Sequence, residues 1–263
     1  MKFLARRRRS PLVASALLLG ALVVVGGGYA AVASVQPAEA AMAVGSETQV
    51  EAGRQLYLEG CSSCHGLEAQ GTMQGPTLVG VGAAAVDFQV STGRMPLVAP
   101  EAQAPSKDNV YSDEDIAAMA AYIATLAPGP AIPTAEQLDF ADADIAYGGE
   151  LFRINCSQCH QAAGQGGALT QGKYAPSLMQ ATPREIYTAM LTGPQNMPVF
   201  GNAQLATEDK QAIIAYVNEL QQSPNPGGLS LGRLGPVTEG VFLATAIFAV
   251  LIAAAVWIGI KAR

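Results

Sequence analysis

Two pentapeptides constrain this chain more than any other feature: CSSCH at residues 61–65 and CSQCH at 156–160. They hold all four cysteines and both histidines of the 263 residues. Some chemistry therefore needs Cys, Cys and His in that order and spacing, twice. On a helix, positions i, i+3 and i+4 share a face. Two thiols can then add to the two vinyl groups of a haem while the imidazole reaches the iron from the same side, the attachment pattern of c-type haem. A four-cysteine zinc site usually separates its pairs by about 15–20 residues, whereas 91 residues lie between Cys64 and Cys156. Structural disulfides suit exported cysteines but leave the histidines unexplained. A thioredoxin-like redox pair needs a βαβ context that the sequence lacks. The expectation is two covalently bound haem c groups, one on Cys61, Cys64 and His65, the other on Cys156, Cys159 and His160.

The flanking sequence repeats with the motifs. Gly-x-x-Leu-Tyr (53–57) precedes the first and Gly-Glu-Leu-Phe (149–152) the second; GPTL (75–78) and APSL (175–178) follow. STGRMP (91–96) then matches LTGPQNMP (191–198). Each copy closes with a helical pattern, 112–126 and 207–220, in which Tyr122 matches Tyr216. Offsets of about 100 residues mark tandem domains rather than a solenoid. Ser112 with Asp115, and Thr182-Pro183-x-Glu185, read as capped helix starts. Ile116, Met119, Ala120 and Ile123 share one helix face, as do Ile213, Ile214 and Val217. No alternating run is long enough to predict a strand. Modules of this size are short for a self-sufficient core, and a large apolar cofactor would complete each one.

With both histidines engaged, a second axial ligand must come from another residue type. Met95 and Met197 occupy matching places, each between Thr-Gly and proline in loop-like sequence; a thioether there raises a haem's potential. Met73 and Met190 are rivals. Met73 lies too few residues beyond His65 to reach the opposite haem face, and Met190 falls inside a predicted helix, where core packing is the usual role of methionine. Pro76 and Pro176 recur ahead of each methionine, either orienting the backbone partner of the imidazole or simply turning the chain. PLVAPEAQAPSK (96–107) has no counterpart in the second copy and reads as a surface loop.

The ends of the chain are apolar. Residues 241–260 contain no charge, and twenty residues at about 1.5 Å rise span about 30 Å, the hydrocarbon thickness of a bilayer. An apolar run from Pro11 to Val35 follows Arg6–Arg9. Its length favours a retained anchor, while AEA at 38–40 leaves a cleaved signal peptide open. Basic residues mark the cytoplasmic side, so both termini are expected inside and the modules outside, at a cell membrane. The exported portion carries eight basic and twenty-one acidic side chains, a net charge of −13 that the overall −6 conceals. That excludes nucleic acid as a partner, and leaves a basic protein surface beside a merely solvated acidic one. The boundaries predicted are 1–40 for the basic N-terminus and apolar segment, 46–127 for the first module, 128–142 for a Pro-rich linker, 143–222 for the second module, 223–238 for a second linker and 239–260 for the membrane helix.

Each repeat resembles a class I-like cytochrome c domain: the CxxCH pentapeptide, G/A-P-x-L, x-M-P and a closing helix with tyrosine. The anchored tandem resembles the dihaem cytochrome c subunit family of the actinobacterial menaquinol–cytochrome c reductases, the bcc type of bc1 complex. The resemblance covers nearly the whole chain and implies a mainly α fold, two helical haem domains with a transmembrane helix. It implies a role as the electron-transfer subunit of a quinol–cytochrome c reductase, with no substrate chemistry of its own. The implied partners are cytochrome b, the Rieske iron–sulfur protein that supplies electrons and an aa3-type oxidase that receives them, in a dimeric complex. Carried over, Cys61, Cys64, His65 and Met95 hold one haem, and Cys156, Cys159, His160 and Met197 the other. A free-standing anchored dihaem carrier is the alternative; a dihaem oxidoreductase with its own substrate would need one iron to lack its methionine.

Overall fold

A long apolar run without a charge can satisfy its own backbone as a helix. Residues 11–35 adopt it as α1 (Pro11–Val35). The computed structural model describes residues 11–35, 45–99, 101–223 and 236–261. Arg6–Arg9, the AEA tripeptide at 38–40, residues 224–228 of the second linker and Arg263 lie outside the described residues.

The first module contains α2 (Glu47–Gly60), the single turn α3 (Ser62–His65), α4 (Gly82–Ser91) and α5 (Asp113–Leu126). The second contains α6 (Ile145–Asn155), the single turn α7 (Ser157–His160), α8 (Pro183–Thr192) and α9 (Thr207–Gln222). Both capped starts form as expected. Ser112 Oγ accepts from the Asp115 amide at 3.2 Å while Asp115 returns the bond. Thr182 and Glu185 do the same, with Pro183 opening α8 and Gly193 ending it at φ 58°. Each reciprocal cap satisfies two amides that the helix itself leaves unpaired.

In both modules the helix before the motif crosses the closing helix, α2 on α5 and α6 on α9. The crossing is so close that a Cβ on Gly53 would overlap the carbonyl oxygen of Ala118, and one on Gly148 that of Ala212. The true partner of Gly53 is therefore Gly148, one residue before the glycine that opens the matched Gly-Glu-Leu-Phe. Beside each crossing lies an aromatic pair, Tyr57 with Tyr122 and Phe152 with Tyr216, both with ring centroids 5.4 Å apart. Such tilted pairs contribute about 0.5–1.5 kcal/mol beyond the area they bury. The faces read from helical periodicity are inside: Ile116, Met119, Ala120 and Ile123 in one module, Ile213, Ile214 and Val217 in the other.

The second core is one cluster around Phe152, Ile186, Tyr187, Met190, Leu205, Ile213, Ile214 and Val217. The first is divided into a group around Tyr57, Tyr122 and Ile123 and another around Val90, Ile116 and Met119. Cys61 and Val86 pack against both groups.

Two features depart from expectation. Two short strands, β1 (Gly167–Ala168) and β2 (Tyr174–Ala175), pair antiparallel with Gly167 opposite Ala175 and Ala168 opposite Tyr174. Two residues are too few to leave an alternating pattern, so sequence cannot announce them. The 96–107 insertion is also more than a surface loop. Ala104 is buried, and Gln103 and Ala104 bond to the second module, as detailed below. The modules also meet where α4 packs on α8, and there Arg184 Nε and Nη2 grip Asp87 Oδ2 and Oδ1 at 3.0 and 2.6 Å. Beyond the second linker, α10 (Pro236–Lys261) includes a stretch, Glu239–Lys261, of mean hydropathy 2.7. Among the described residues it is the helix long and apolar enough to cross a membrane.

Candidate haem sites

The motif does not lie on one continuous helix. Cys61 ends α2 and begins α3, with φ −123° and ψ −32°; Cys156 repeats this between α6 and α7 at −119° and −38°. The chain is re-aimed at the first cysteine, yet the hydrogen-bond ladder carries across. The Cys61 and Cys156 amides donate to Tyr57 O and Phe152 O at 2.9 and 2.8 Å, and those of His65 and His160 to Cys61 O and Cys156 O at 3.0 and 2.9 Å. The i, i+3, i+4 relationship therefore survives the kink.

Two hydrogen bonds of the loop after each histidine recur in both modules. Gly71 N donates to His65 O at 2.7 Å, matched by Gly166 N to His160 O at 2.9 Å. Leu78 N donates to Ala69 O at 2.8 Å, matched by Leu178 N to Gly164 O at 2.7 Å. The loop returns proline to the imidazole: His65 Nδ1 lies 2.7 Å from Pro76 O, and His160 Nδ1 2.9 Å from Pro176 O. A carbonyl only accepts, so Nδ1 must carry the proton and Nε2 keeps its lone pair, the tautomer a metal-binding imidazole needs. This resolves the two readings of the prolines in favour of orientation. Burial pushes the His160 imidazole below its usual range, opposed by its hydrogen bond to the Pro176 carbonyl.

The cysteines are divided alike in the two modules. Cys61 and Cys156 are half-buried at the core edge, while Cys64 and Cys159 are exposed, and none of the four is in a disulfide. Burial, then the neighbouring Cys159, pushes the Cys156 thiol up to about 11, and burial likewise raises Cys61.

The methionines separate by environment. Met190 is 2% exposed inside the second core, and Met73 stands fully in solvent. Met95 and Met197 are half-buried. Met95 packs against the same cluster as Cys61, and Met197 against the same cluster as Cys156. Each module thus gathers a cysteine and a methionine about one core edge, with the histidine four residues beyond that cysteine. The Met95 amide is held by Gln89 O at 2.9 Å, and the Met197 amide by Pro194 O at 3.1 Å. Arg94, beside Met95, lies 4.9 Å over the Phe88 ring; burial lowers its guanidinium, opposed by Glu185 and Tyr174 of the second module. Exposed apolar side chains follow both methionines, Val98 and Val199. Donor set, tautomer and apolar rim together fit a haem in each module.

A family described as "Cytochrome c" matches residues 50–127, and one described as "Cytochrome C oxidase, cbb3-type, subunit III" matches 143–217. The curated relatives are more specific. The "Cytochrome bc1 complex cytochrome c subunit" of Mycobacterium tuberculosis (strain ATCC 25618 / H37Rv) is 45% identical, over 97% of this chain and 93% of its own. The chain belongs to the cytochrome bc1 complex cytochrome c subunit family. Members of the same name from Corynebacterium efficiens and Corynebacterium diphtheriae are 44% and 43% identical, over 96% and 98% of this chain and 90% and 97% of theirs. A solved chain of the "Kuenenia stuttgartiensis reducing HAO-like protein complex" aligns with 65% of this chain and 96% of its own, at 16% identity and a TM-score of 0.34, too distant to bear on fold or function. As a family member with two cytochrome c domains and two CxxCH motifs, the chain binds haem c covalently. Sequence reasoning missed Asp87, Arg184, Gln103 and Gln195; Gln195 lies within the matched LTGPQNMP and the other three lie outside the matched segments. The absence of 96–107 from the second copy was the one signal that pointed near them.

Proposed function

We propose that this chain is the dihaem electron-transfer subunit of a bc1-type quinol–cytochrome c reductase, passing electrons from the Rieske iron–sulfur subunit towards an aa3-type terminal oxidase. The observation that carries the reading is the duplicated site: in both modules a proline carbonyl fixes the proximal imidazole while a half-buried methionine packs on the same core edge as the first cysteine. Cys61 and Cys64, and Cys156 and Cys159, would hold the two haems; His65 with Met95, and His160 with Met197, would bind their irons. When bound, haem c supplies reversible one-electron redox chemistry. The chain's own residues orient the imidazoles and fix their tautomer through Pro76 and Pro176, and the methionine loops would cover each site. With two protein ligands each, the irons would have no position left for a substrate, which favours a relay over a catalyst.

Family membership supports assembly with cytochrome b and the Rieske protein in a dimeric complex. The 23-residue apolar stretch of α10 supports anchoring in the cell membrane, and the basic residues at the two ends of the sequence favour the modules on the extracytoplasmic side. The domain limits 46–127 and 143–222 are proposed for the haem modules, and 239–260 for the span. Purification in mild detergent tests the reading. We expect two c-type haems per chain that resist acid–acetone extraction, with cytochrome b, Rieske and oxidase subunits co-purifying. One haem per chain, extractable haem, or isolation of the chain alone would refute it; the last would leave a free-standing carrier.

A further inference from the structure

Among the described residues, the insertion at 96–107 bonds to the second module through Gln103 and Ala104, and that contact frames the second candidate haem site. The side-chain amide of Gln103 pairs with the backbone of Tyr174: Nε2 donates to Tyr174 O and Tyr174 N donates to Oε1, both at 2.8 Å. Tyr174 lies in β2, two residues before Pro176, whose carbonyl holds His160. The next residue, Ala104, makes the reciprocal arrangement with the other side of the site. Its amide donates to Gln195 Oε1 at 3.1 Å, and Gln195 Nε2 donates to Ala104 O at 3.0 Å. Gln195 lies two residues before Met197 and is held at φ 59°, which strains a residue other than glycine. Lys173 Nζ also bonds Asn196 Oδ1 at 3.0 Å, so the histidine-side and methionine-side segments lie edge to edge where the dipeptide crosses them. At its other end the insertion is tied to the Met95 loop: Ser106 Oγ donates to Thr92 O at 2.8 Å, and Lys107 Nζ to the carbonyls of Gly93 and Pro96.

The geometry points to a positioning role: Gln103 and Ala104 of the first module, with Gln195, form a strap that clamps the histidine-side and methionine-side segments of the second haem site and couples them to the Met95 loop. The strap holds the Met197 loop closed and keeps the two sites in fixed register. Each reciprocal pair contains two neutral hydrogen bonds, so its loss shifts the closed–open equilibrium of the strap on the order of tenfold. The inference rests on the proposed ligand set, and its test separates the two.

The experiment uses the full-length holoprotein in detergent, with the two ferric haem EPR signals assigned through Met197→Ala. Gln103→Ala and Gln195→Ala should each admit carbon monoxide to the ferrous second haem on the order of tenfold more readily, leave the first haem unchanged, and speed hydrogen exchange at the Ala104 and Tyr174 amides. Gln103→Glu, which accepts from Tyr174 N but cannot donate to its carbonyl, should fall between. Asp87→Ala breaks a junction contact away from the strap and should leave the second haem's spectrum alone. Unchanged carbon monoxide access in Gln103→Ala and Gln103→Glu overturns the strap, as does an equal effect from Asp87→Ala. Were Met197→Ala to leave both haem signals intact, the ligand assignment would fail instead.

Discussion

Arg184 and Asp87 form an unequal pair, and the inequality predicts the outcome of removing either. The Asp87 side chain is 10% exposed and that of Arg184 50%. Arg184 sits in the first turn of α8, where a cation opposes the helix dipole, so its place there depends on what it grips. Arg184→Ala strands a nearly buried carboxylate that had two charged hydrogen bonds, a cost of about 2–4 kcal/mol reduced by a few tenths for the relieved dipole. Asp87→Ala leaves a guanidinium that can turn to water, and should cost only about 1 kcal/mol. The coupling between the two in a double-mutant cycle should be about 1–2 kcal/mol, discounted because half of the arginine is screened by solvent. The quantity to measure is the opening free energy of the module junction, read from hydrogen exchange of the α4 and α8 amides in the detergent-solubilised holoprotein. High salt should lower the coupling only in part, since one partner is buried. If Asp87→Ala costs as much as Arg184→Ala, or the cycle closes with no coupling, the junction is not held by this pair.

Met190→Ala should destabilise the second module by about 2–5 kcal/mol while leaving its methionine–iron charge-transfer band in place, whereas Met197→Ala should abolish that band at modest cost in stability; absorption spectra and thermal melts decide. Gly53→Ala and Gly148→Ala should each cost about 1–3 kcal/mol by forcing the helix crossings apart. Gly149→Ala, whose added carbon would meet the Tyr216 ring at 3.0 Å rather than backbone, should cost less in the same melts. Replacing α10 with an unrelated single span should keep both haems but loosen attachment to the larger assembly. Its Ala244, Ala246, Ala249 and Ala253–Ala255 permit close helix approach, so full retention of quinol-driven oxygen uptake would make it a passive tether.

Most of the chemistry was legible in the residues because it is local. A CxxCH pentapeptide spans one helical turn, and its three donors are near one another in any chain that makes the turn. The capping residues Ser112 and Thr182 and the apolar stripes of α5 and α9 act within a few positions of themselves. Duplication helped further, since a methionine or proline recurring at matched places stands out from its neighbours. The true match of Gly53 was misjudged by one residue because two glycines adjoin, and the close crossing alone tells Gly148 from Gly149.

Other features depend on how two separately read modules meet. The sequence by itself determined the haem motifs, the helical modules, the apolar end segments and the methionines that could complete each site. Tertiary structure decided that Pro76 and Pro176 hold the imidazoles, that Met190 is core and Met73 is solvent, and that Asp87 faces Arg184. It also decided that the segment without a repeat partner crosses to the other site. Asp87 and Arg184 are 97 positions apart, Gln103 and Tyr174 71, and Ala104 and Gln195 91. Glutamine amides paired with backbone carry no periodicity and no composition signal. Such bonds form only when the folded modules bring those groups within about 3 Å, and no local stretch of chain encodes that distance.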